Sequence, residues 1–375
     1  MRISFILDRL NLGGAERHTL NLSRALAARG YEVQVIVLFS GGSKQFPVCD
    51  FPVSPIFLNA KGILSFGLTR RLKDALNNFR ADTVFAVNQS ALVAATLARY
   101  RGANISQLCC RFSTTIIDSL IGRMKLPFFK WCTSRADALI FVSLLQRDYW
   151  EMRGMTSKNV FVIQNGIASD RFLPPSDIIR AQSREKYGFG FNDVSLTLVG
   201  RLSPEKNHSW LIETVAKLKL KRPEEFEPLH LFFIGEGPLR SELENLVYAR
   251  GLDEKVTFAG GMSDIVPALA QADAGILVSN AVETFSHAAL ELMSTGLPVV
   301  LTDIGGASEI IVDGEQGFLV LPEDDAALEA ALTGILDPAS RSKMGVAARN
   351  RVLERFTYDR MVDQYEAIVT GNARL

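Results

Sequence analysis

Short apolar runs alternating with helical stretches constrain this chain more than any other feature. Runs at 3–7, 33–39, 55–59, 83–87, 105–109, 138–142 and 160–163 read as strands. Their mostly apolar composition is that of parallel strands buried on both faces. Helices fall between most of them, and the first is amphipathic and ends near Gly30. Alternation of this kind predicts a parallel sheet covered by helices on both sides. The rhythm breaks over residues 166–193. There Asn165-Gly166 turns the chain, Pro174-Pro175 stiffens it, and Gly188 and Gly190 close the segment. A second series of runs follows at 196–199, 231–234, 256–258, 276–278, 298–301 and 318–320. The two halves repeat an architecture, not a sequence. At 375 residues the chain is long for one core and comfortable for two. The fold class read from this pattern is α/β, with doubly wound parallel-sheet domains over 1–170 and 171–355. The tail, 356–375, is helical in pattern.

Composition narrows the setting. With 47% hydrophobic and 22% charged residues the chain is an ordinary globular sequence. No apolar run approaches the roughly 18 residues that a membrane span needs. The start places Asp8 within what reads as a first strand, not a signal peptide. Cys49, Cys109, Cys110 and Cys132 have no metal-ligand spacing, and reduced thiols in a cytoplasmic protein are the simplest account. Charge balances overall but not locally. Residues 1–170 hold 21 Lys and Arg against 11 Asp and Glu, an excess of ten cations that the remainder reverses. Such asymmetry points the first half at an anionic partner. No nucleic-acid module is recognisable, so an anionic membrane surface or a phosphorylated lipid is the better expectation.

The stretch 275–296 carries the most chemistry. It opens as a short strand, turns through Asn280 to Phe285, and becomes a helix that stops at Gly296 before Pro298. Thr284 and Ser286 are both residues that cap helix starts. The N–H groups of Phe285, Ser286 and His287 are then placed to meet an anion such as phosphate. Glu283 lies in the turn and Glu291 one or two turns into the helix, so carboxylates flank that start. The layout suits a nucleotide sugar, with one glutamate for the sugar and one for the ribose. A surface charge and an ordinary helical glutamate are the alternative reading.

The spacing Glu283-x7-Glu291, followed by Ser-Thr-Gly-Leu-Pro-Val-Val, resembles the retaining glycosyltransferases of family 4, also called group 1, which have the GT-B fold. Val199-Gly200-Arg201-Leu202 with Glu205-Lys206-Asn207 is similar to that family's phosphate-binding signature. Gly13-Gly14-Ala15-Glu16-Arg17 resembles its N-terminal glycine loop. Gly305-Gly306-Ala307-Ser308-Glu309, running on to Gly317-Phe318-Leu319-Val320, resembles the segment after its catalytic helix. The resemblance implies two Rossmann-like domains facing across a cleft, with the tail crossing back onto the first. It implies that Arg201 and Lys206 stabilise the departing diphosphate, that Glu283 grips the sugar, and that Glu291, Thr284, Phe285, Ser286 and Gly14 contact the donor. No Asp-x-Asp motif is present. The cations and the helix start suffice to balance the charge, so neither a metal nor another cofactor is expected.

Other features are more open. Gly235-Glu236-Gly237-Pro238-Leu239-Arg240 imitates a dinucleotide fingerprint, but Arg240 stands where its third glycine belongs. It reads as a loop beside the nucleotide. His18 is expected to be exposed, and His287 to serve packing or ligand contact. Where many relatives carry a histidine, this chain has Arg111-Phe112-Ser113. Arg111 then serves an acceptor phosphate or a structural ion pair. The segment 123–131 sets Phe128, Phe129 and Trp131 among Arg123, Lys125 and Lys130. It is either a membrane-interface helix or a core helix whose cations reach out of it. The expectation is a cytoplasmic, membrane-peripheral enzyme that moves a sugar from a UDP- or GDP-sugar to a saccharide or polyprenyl-linked acceptor, in cell-surface polysaccharide or lipopolysaccharide assembly. A nucleotide-sugar 2-epimerase and a non-catalytic nucleotide-sugar-binding subunit are the alternatives.

Overall fold

The computed structural model describes residues 1–10, 14–41, 51–113, 120–281 and 283–373. Gly13, Cys49 and the side chain of Arg123 lie outside the described residues. The chain divides into two compact units, one of residues 1–164 with 361–375 and the other of residues 165–360. The first division falls at the Asn165-Gly166 turn, ahead of the expected boundary after 170, and the second falls inside the tail expected to begin at 356.

Unit 1 is built on β1 (Arg2–Leu7), β2 (Glu32–Val37), β3 (Ile56–Phe57), β4 (Thr83–Val87), β5 (Gln107–Arg111), β6 (Ala138–Phe141) and β7 (Asn159–Val162). They form one parallel sheet in the order 3-2-1-4-5-6-7. Helices bury the apolar faces. In the helix Phe66–Phe79, Leu68, Leu72 and Leu76 recur every fourth residue and all reach zero exposure. That spacing sets them on one stripe, and each such side chain contributes about 1.5–3 kcal/mol on burial. They join Ile6, Val84, Leu108 and Leu139 in the core.

The tail helix Tyr358–Val369 completes this unit through its later turns. Tyr365 is fully buried, 5.6 Å from Phe85 and 5.5 Å from His18 between ring centroids. Arg29 pairs with Asp363 at 2.7 Å and Glu366 at 2.5 Å, and the Tyr31 hydroxyl donates to Glu366 at 2.8 Å. His18, expected at the surface, is only 4% exposed. The Tyr365 ring of the tail packs against it, a contact from far along the chain that local periodicity does not show.

Unit 2 uses β8 (Val194–Val199), β9 (Leu229–Ile234), β10 (Val256–Gly260), β11 (Ala274–Leu277), β12 (Val299–Thr302) and β13 (Gly317–Val320). Its parallel sheet has the order 10-9-8-11-12-13. In each sheet the order reverses once, between β1 and β4 and between β8 and β11. Crevices at the carboxyl ends of such strand pairs are where open α/β sheets bind ligands. This is the two-domain doubly wound architecture of the GT-B fold.

Candidate functional site

The reversal in unit 2 decides which loops meet. One loop follows Val199 and the other follows Leu277, and the predicted residues of this half lie on them or on the helix after the second. The first loop runs from Gly200 into a 3₁₀ turn, Pro204–Lys206. Asn207 then takes a left-handed φ of 52° to start the helix His208–Lys221. Backbone contact ties the two loops, since the Asn280 N–H donates to the Glu205 carbonyl at 3.1 Å. Side chains add a second tie. The Lys206 ammonium lies 2.5 Å from a Glu283 carboxylate oxygen, and both side chains are 21% exposed. The Ser279 hydroxyl reaches the same oxygen at 3.5 Å. Arg201 is exposed and carries no ion pair among the described residues.

The second loop ends in the helix His287–Ser294. Ser286 is its cap, accepting from the Ala289 N–H at 3.3 Å, and the helix stops at Thr295 before Gly296 with φ of 82°. Glu291 is the fifth helical residue and is half-buried. Phe285 is 3% exposed with its ring 5.5 Å from Phe356, and its carbonyl accepts from Asn165 at 2.9 Å. Phe285 and Ser286 therefore use their side chains to hold the loop. Only their backbone could face a ligand. Thr284 is half-buried, and its carbonyl accepts the Gly306 N–H at 2.9 Å.

Two glycine segments brace these loops for steric reasons. A Cβ on Gly305, which has a φ of +57°, would lie 1.6 Å from the Glu283 carbonyl oxygen. A Cβ on Gly235 would lie 1.9 Å from the carbonyl oxygen of Gly200, and one on Gly237 would lie 2.1 Å from that of Leu202. Backbone approaches this close permit only glycine. The dinucleotide-like motif is thus a buttress under the Gly200-Arg201-Leu202 loop, where the Leu202 N–H donates to the Glu236 carbonyl and the Leu239 N–H donates to the Leu202 carbonyl, both at 3.1 Å.

Two further residues of this site, Glu205 and His208, had no role assigned from the sequence. Burial works against the charge on Glu205. The Ser203 hydroxyl at 2.6 Å, with Arg201 and Lys206 beyond it, nonetheless holds its carboxyl below the usual range. Its partners on the second loop lie more than seventy positions away, beyond any local signal. His208 is 2% exposed with its ring 5.1 Å from Phe233. Burial chiefly, and then the Lys206 cation, pushes its pKa down to about 4.

Unit 1 holds the remaining candidates. Gly14 begins the helix Gly14–Ala28, and no described atom lies within 4 Å of where its Cβ would stand. Arg111 ends β5, is 4% exposed, and donates to the Ser113 hydroxyl at 2.6 Å. Burial raises the Tyr365 hydroxyl pKa, while the nearby Arg111 cation opposes the shift. Asp8, just beyond β1 at this unit's own reversal point, was noted in the sequence only as a charge. Burial pushes its pKa up to about 6 against hydrogen bonds from Ser90 and the Ala91 backbone, with Glu16 adding to the rise. In the helix Leu120–Thr133, Leu126, Phe129 and Trp131 pack on the core while Lys125 and Phe128 stay exposed. Among the described residues no helix is long and apolar enough to cross a membrane.

Comparison with known proteins covers nearly all of this framework. The profile described as "Glycosyl transferases group 1" matches residues 179–351, and that described as "Glycosyltransferase Family 4" matches residues 12–171. The putative glycosyltransferase EpsD of Bacillus subtilis is 29% identical over 351 residues, covering 90% of each chain. The GDP-mannose-dependent alpha-(1-6)-phosphatidylinositol monomannoside mannosyltransferase of Mycolicibacterium smegmatis is 29% identical over 302 residues, covering 77% of this chain and 76% of its own. The structure of Anabaena Alr3699/HepE in complex with UDP is similar in fold, with a TM-score of 0.87 at 23% identity, over 99% of this chain and 100% of its own.

Proposed function

Because the chain belongs to the group 1, family 4 glycosyltransferases, we propose that it moves a sugar from a UDP- or GDP-sugar to a saccharide or polyprenyl-linked acceptor with retention of configuration. It is a glycosyltransferase that uses a nucleotide-sugar donor. The observation that carries the finer reading is the 2.5 Å contact of Lys206 with Glu283. It sets a cation and a carboxylate side by side at the reversal of the unit 2 sheet.

Donor transfer leaves negative charge on a departing diphosphate. Arg201 offers planar, bidentate donors to it, and the start of the helix His287–Ser294 offers backbone N–H groups. Lys206 adds a point charge once the donor replaces its contact with Glu283. Fixed positive groups of this kind favour the transition state over the ground state. Glu283, released from Lys206, accepts hydrogen bonds from sugar hydroxyls, and Glu291 accepts from the ribose. These charges balance the leaving group without a divalent ion. Gly14 contacts the donor, and Arg111 serves the acceptor. The setting is cell-surface polysaccharide assembly on the cytoplasmic side of an anionic membrane. The excess of ten cations in residues 1–170 supports it, together with exposed Lys125 and Phe128.

The test incubates the protein and acceptor-bearing membranes with a panel of UDP- and GDP-sugars and follows release of nucleoside diphosphate. The reading requires release that depends on acceptor and a product that keeps the donor's anomeric configuration. An altered free sugar formed without acceptor would make the chain a 2-epimerase. Donor binding without turnover would make it a binding subunit.

A further inference from the structure

We propose that a hollow at the amino ends of β6 and β7 binds a saccharide carrying an acidic group. The hollow belongs to unit 1 alone and measures about 470 Å³. That volume falls within the ~300–1,000 Å³ typical of small-molecule sites. Its position follows from the elements that wall it. Tyr100 ends the helix Asn88–Tyr100, Trp131 and Arg135 come from the end of the helix Leu120–Thr133 and the turn after it, and Asp137 and Lys158 immediately precede β6 and β7. Arg111 and Asp8 lie at the opposite, carboxyl edge of the same sheet, at the ends of β5 and β1. The hollow is therefore apart from the residues assigned to sugar transfer, and the proposal does not depend on that assignment.

Of its two aromatic rings, Tyr100 is the one open to a ligand. Tyr100 is 78% exposed, and its ring meets Trp131 at 64° with centroids 6.5 Å apart. The two rings meet edge to face, and most of Tyr100 stays open to solvent. Trp131 is steadied by Phe128, stacked at 5.8 Å, and by the Arg135 guanidinium 5.5 Å from its ring. An aromatic face held open beside polar groups suits the apolar C–H face of a pyranose, whose hydroxyls point outward to hydrogen-bond partners.

Charge then selects among sugars. Arg99 is committed, donating to Asp137 at 2.9 Å and to the Arg135 carbonyl at 3.3 Å. Asp137 is committed in turn, since it also accepts the Leu108 N–H at 2.8 Å. Arg135, whose guanidinium lies over the Trp131 ring, and Lys158 are exposed and carry no ion pair among the described residues. A neutral sugar would leave those cations without a counter-charge, and a bare inorganic anion would leave the rings unused. A membrane surface would meet a protruding apolar face, not a recess with cations. A sugar ring bearing a carboxylate or phosphate uses both features, with the acid on Arg135 and Lys158 and the ring on Tyr100.

The experiment uses the whole protein and reads calorimetry and tryptophan fluorescence. The probes are a glucuronate tetrasaccharide, a glucose tetrasaccharide of equal length, inorganic phosphate, and phosphatidylglycerol vesicles. The acidic tetrasaccharide should bind one to one and the neutral one at least about tenfold more weakly, as loss of a charge-assisted hydrogen bond implies. Lys158→Glu and Tyr100→Ala, both on exposed side chains, should each weaken the acidic probe about tenfold. Donor hydrolysis and thermal stability should stay unchanged. Equal affinity for acidic and neutral probes, or indifference to either variant, would overturn the proposal. So would phosphate binding as tightly as the tetrasaccharide, which would make this a bare anion site. A fluorescence response to vesicles but not to the tetrasaccharide would make it a membrane contact and overturn it too.

Discussion

At the scale of single residues, charges that face each other make the sharpest predictions. Arg201→Ala and Lys206→Ala should each lower turnover by roughly 10²–10³, the effect of removing one preorganised donor to a developing anion. Chelating divalent ions should change little, and full dependence on added Mg²⁺ would defeat the charge balance proposed above. Glu283→Gln should stop transfer while free nucleoside diphosphate still binds, whereas Glu291→Gln should weaken the nucleotide itself. Calorimetry separates the two, and equal loss of affinity in both variants would refute separate roles. Titration offers a further check. His208 has a folded pKa of about 4 against an ordinary 6.5, so the unfolded chain binds its proton first. Stability should be full above pH 6.5 and fall by about 3 kcal/mol as pH drops toward 4. His208→Leu should flatten that slope in acid denaturation profiles. Asp8 has the opposite sign, because its folded pKa of about 6 lies above the ordinary 3.8. Its penalty is absent below pH 4 and complete above pH 6. Asp8→Asn should therefore raise stability at pH 8 by about 3 kcal/mol and give no gain at pH 3.5.

At the scale of elements, the helix His287–Ser294 shows what local signals can specify. Ser286, Gly296 and Pro298 mark its start and stop, and the structure ends it one residue before the Thr295 cap. Ser286→Ala should cost about 1 kcal/mol through the lost cap, measured as a shift in the urea midpoint with unchanged slope. Gly305→Ala should cost far more, because its Cβ would overlap the Glu283 carbonyl and its φ of +57° disfavours any side chain. That variant should lose both stability and turnover. Survival of full turnover would show that the Glu283 loop can move without consequence. The helix Leu120–Thr133 is a mixed outcome. Leu126, Phe129 and Trp131 serve the core, as a core helix would have it, and Phe128 with Lys125 remains outside. Composition alone cannot sort such a segment, because both readings place cations and rings at the same intervals.

At the scale of the whole molecule, the excess of ten cations in residues 1–170 predicts attraction to anionic surfaces. The protein should sediment with anionic vesicles at low salt, release as salt rises, and ignore neutral vesicles. Each basic group near the surface contributes on the order of 1 kcal/mol, and screening sets in over about a Debye length. Lys125→Glu with Lys130→Glu should remove most of that binding and leave donor hydrolysis intact. Vesicle binding equal to the parent's would assign the helix Leu120–Thr133 to packing alone.

Sequence by itself determined the α/β alternation, the placement of the strands, the caps and stops of the helix His287–Ser294, and the loops on which chemistry was sought. These are short-range matters of periodicity, turn residues and backbone freedom, which neighbouring residues settle among themselves. Only the tertiary structure decided that Lys206 and Glu283 meet, that Glu205 ties two loops, that His18 is covered by Tyr365, and that Gly235 and Gly237 buttress the Gly200-Arg201-Leu202 loop. Each of these joins residues far apart in the chain. Strand order fixes which of them become neighbours, and desolvation by that packing, which no local pattern encodes, sets whether a buried Asp8 or His208 keeps its charge.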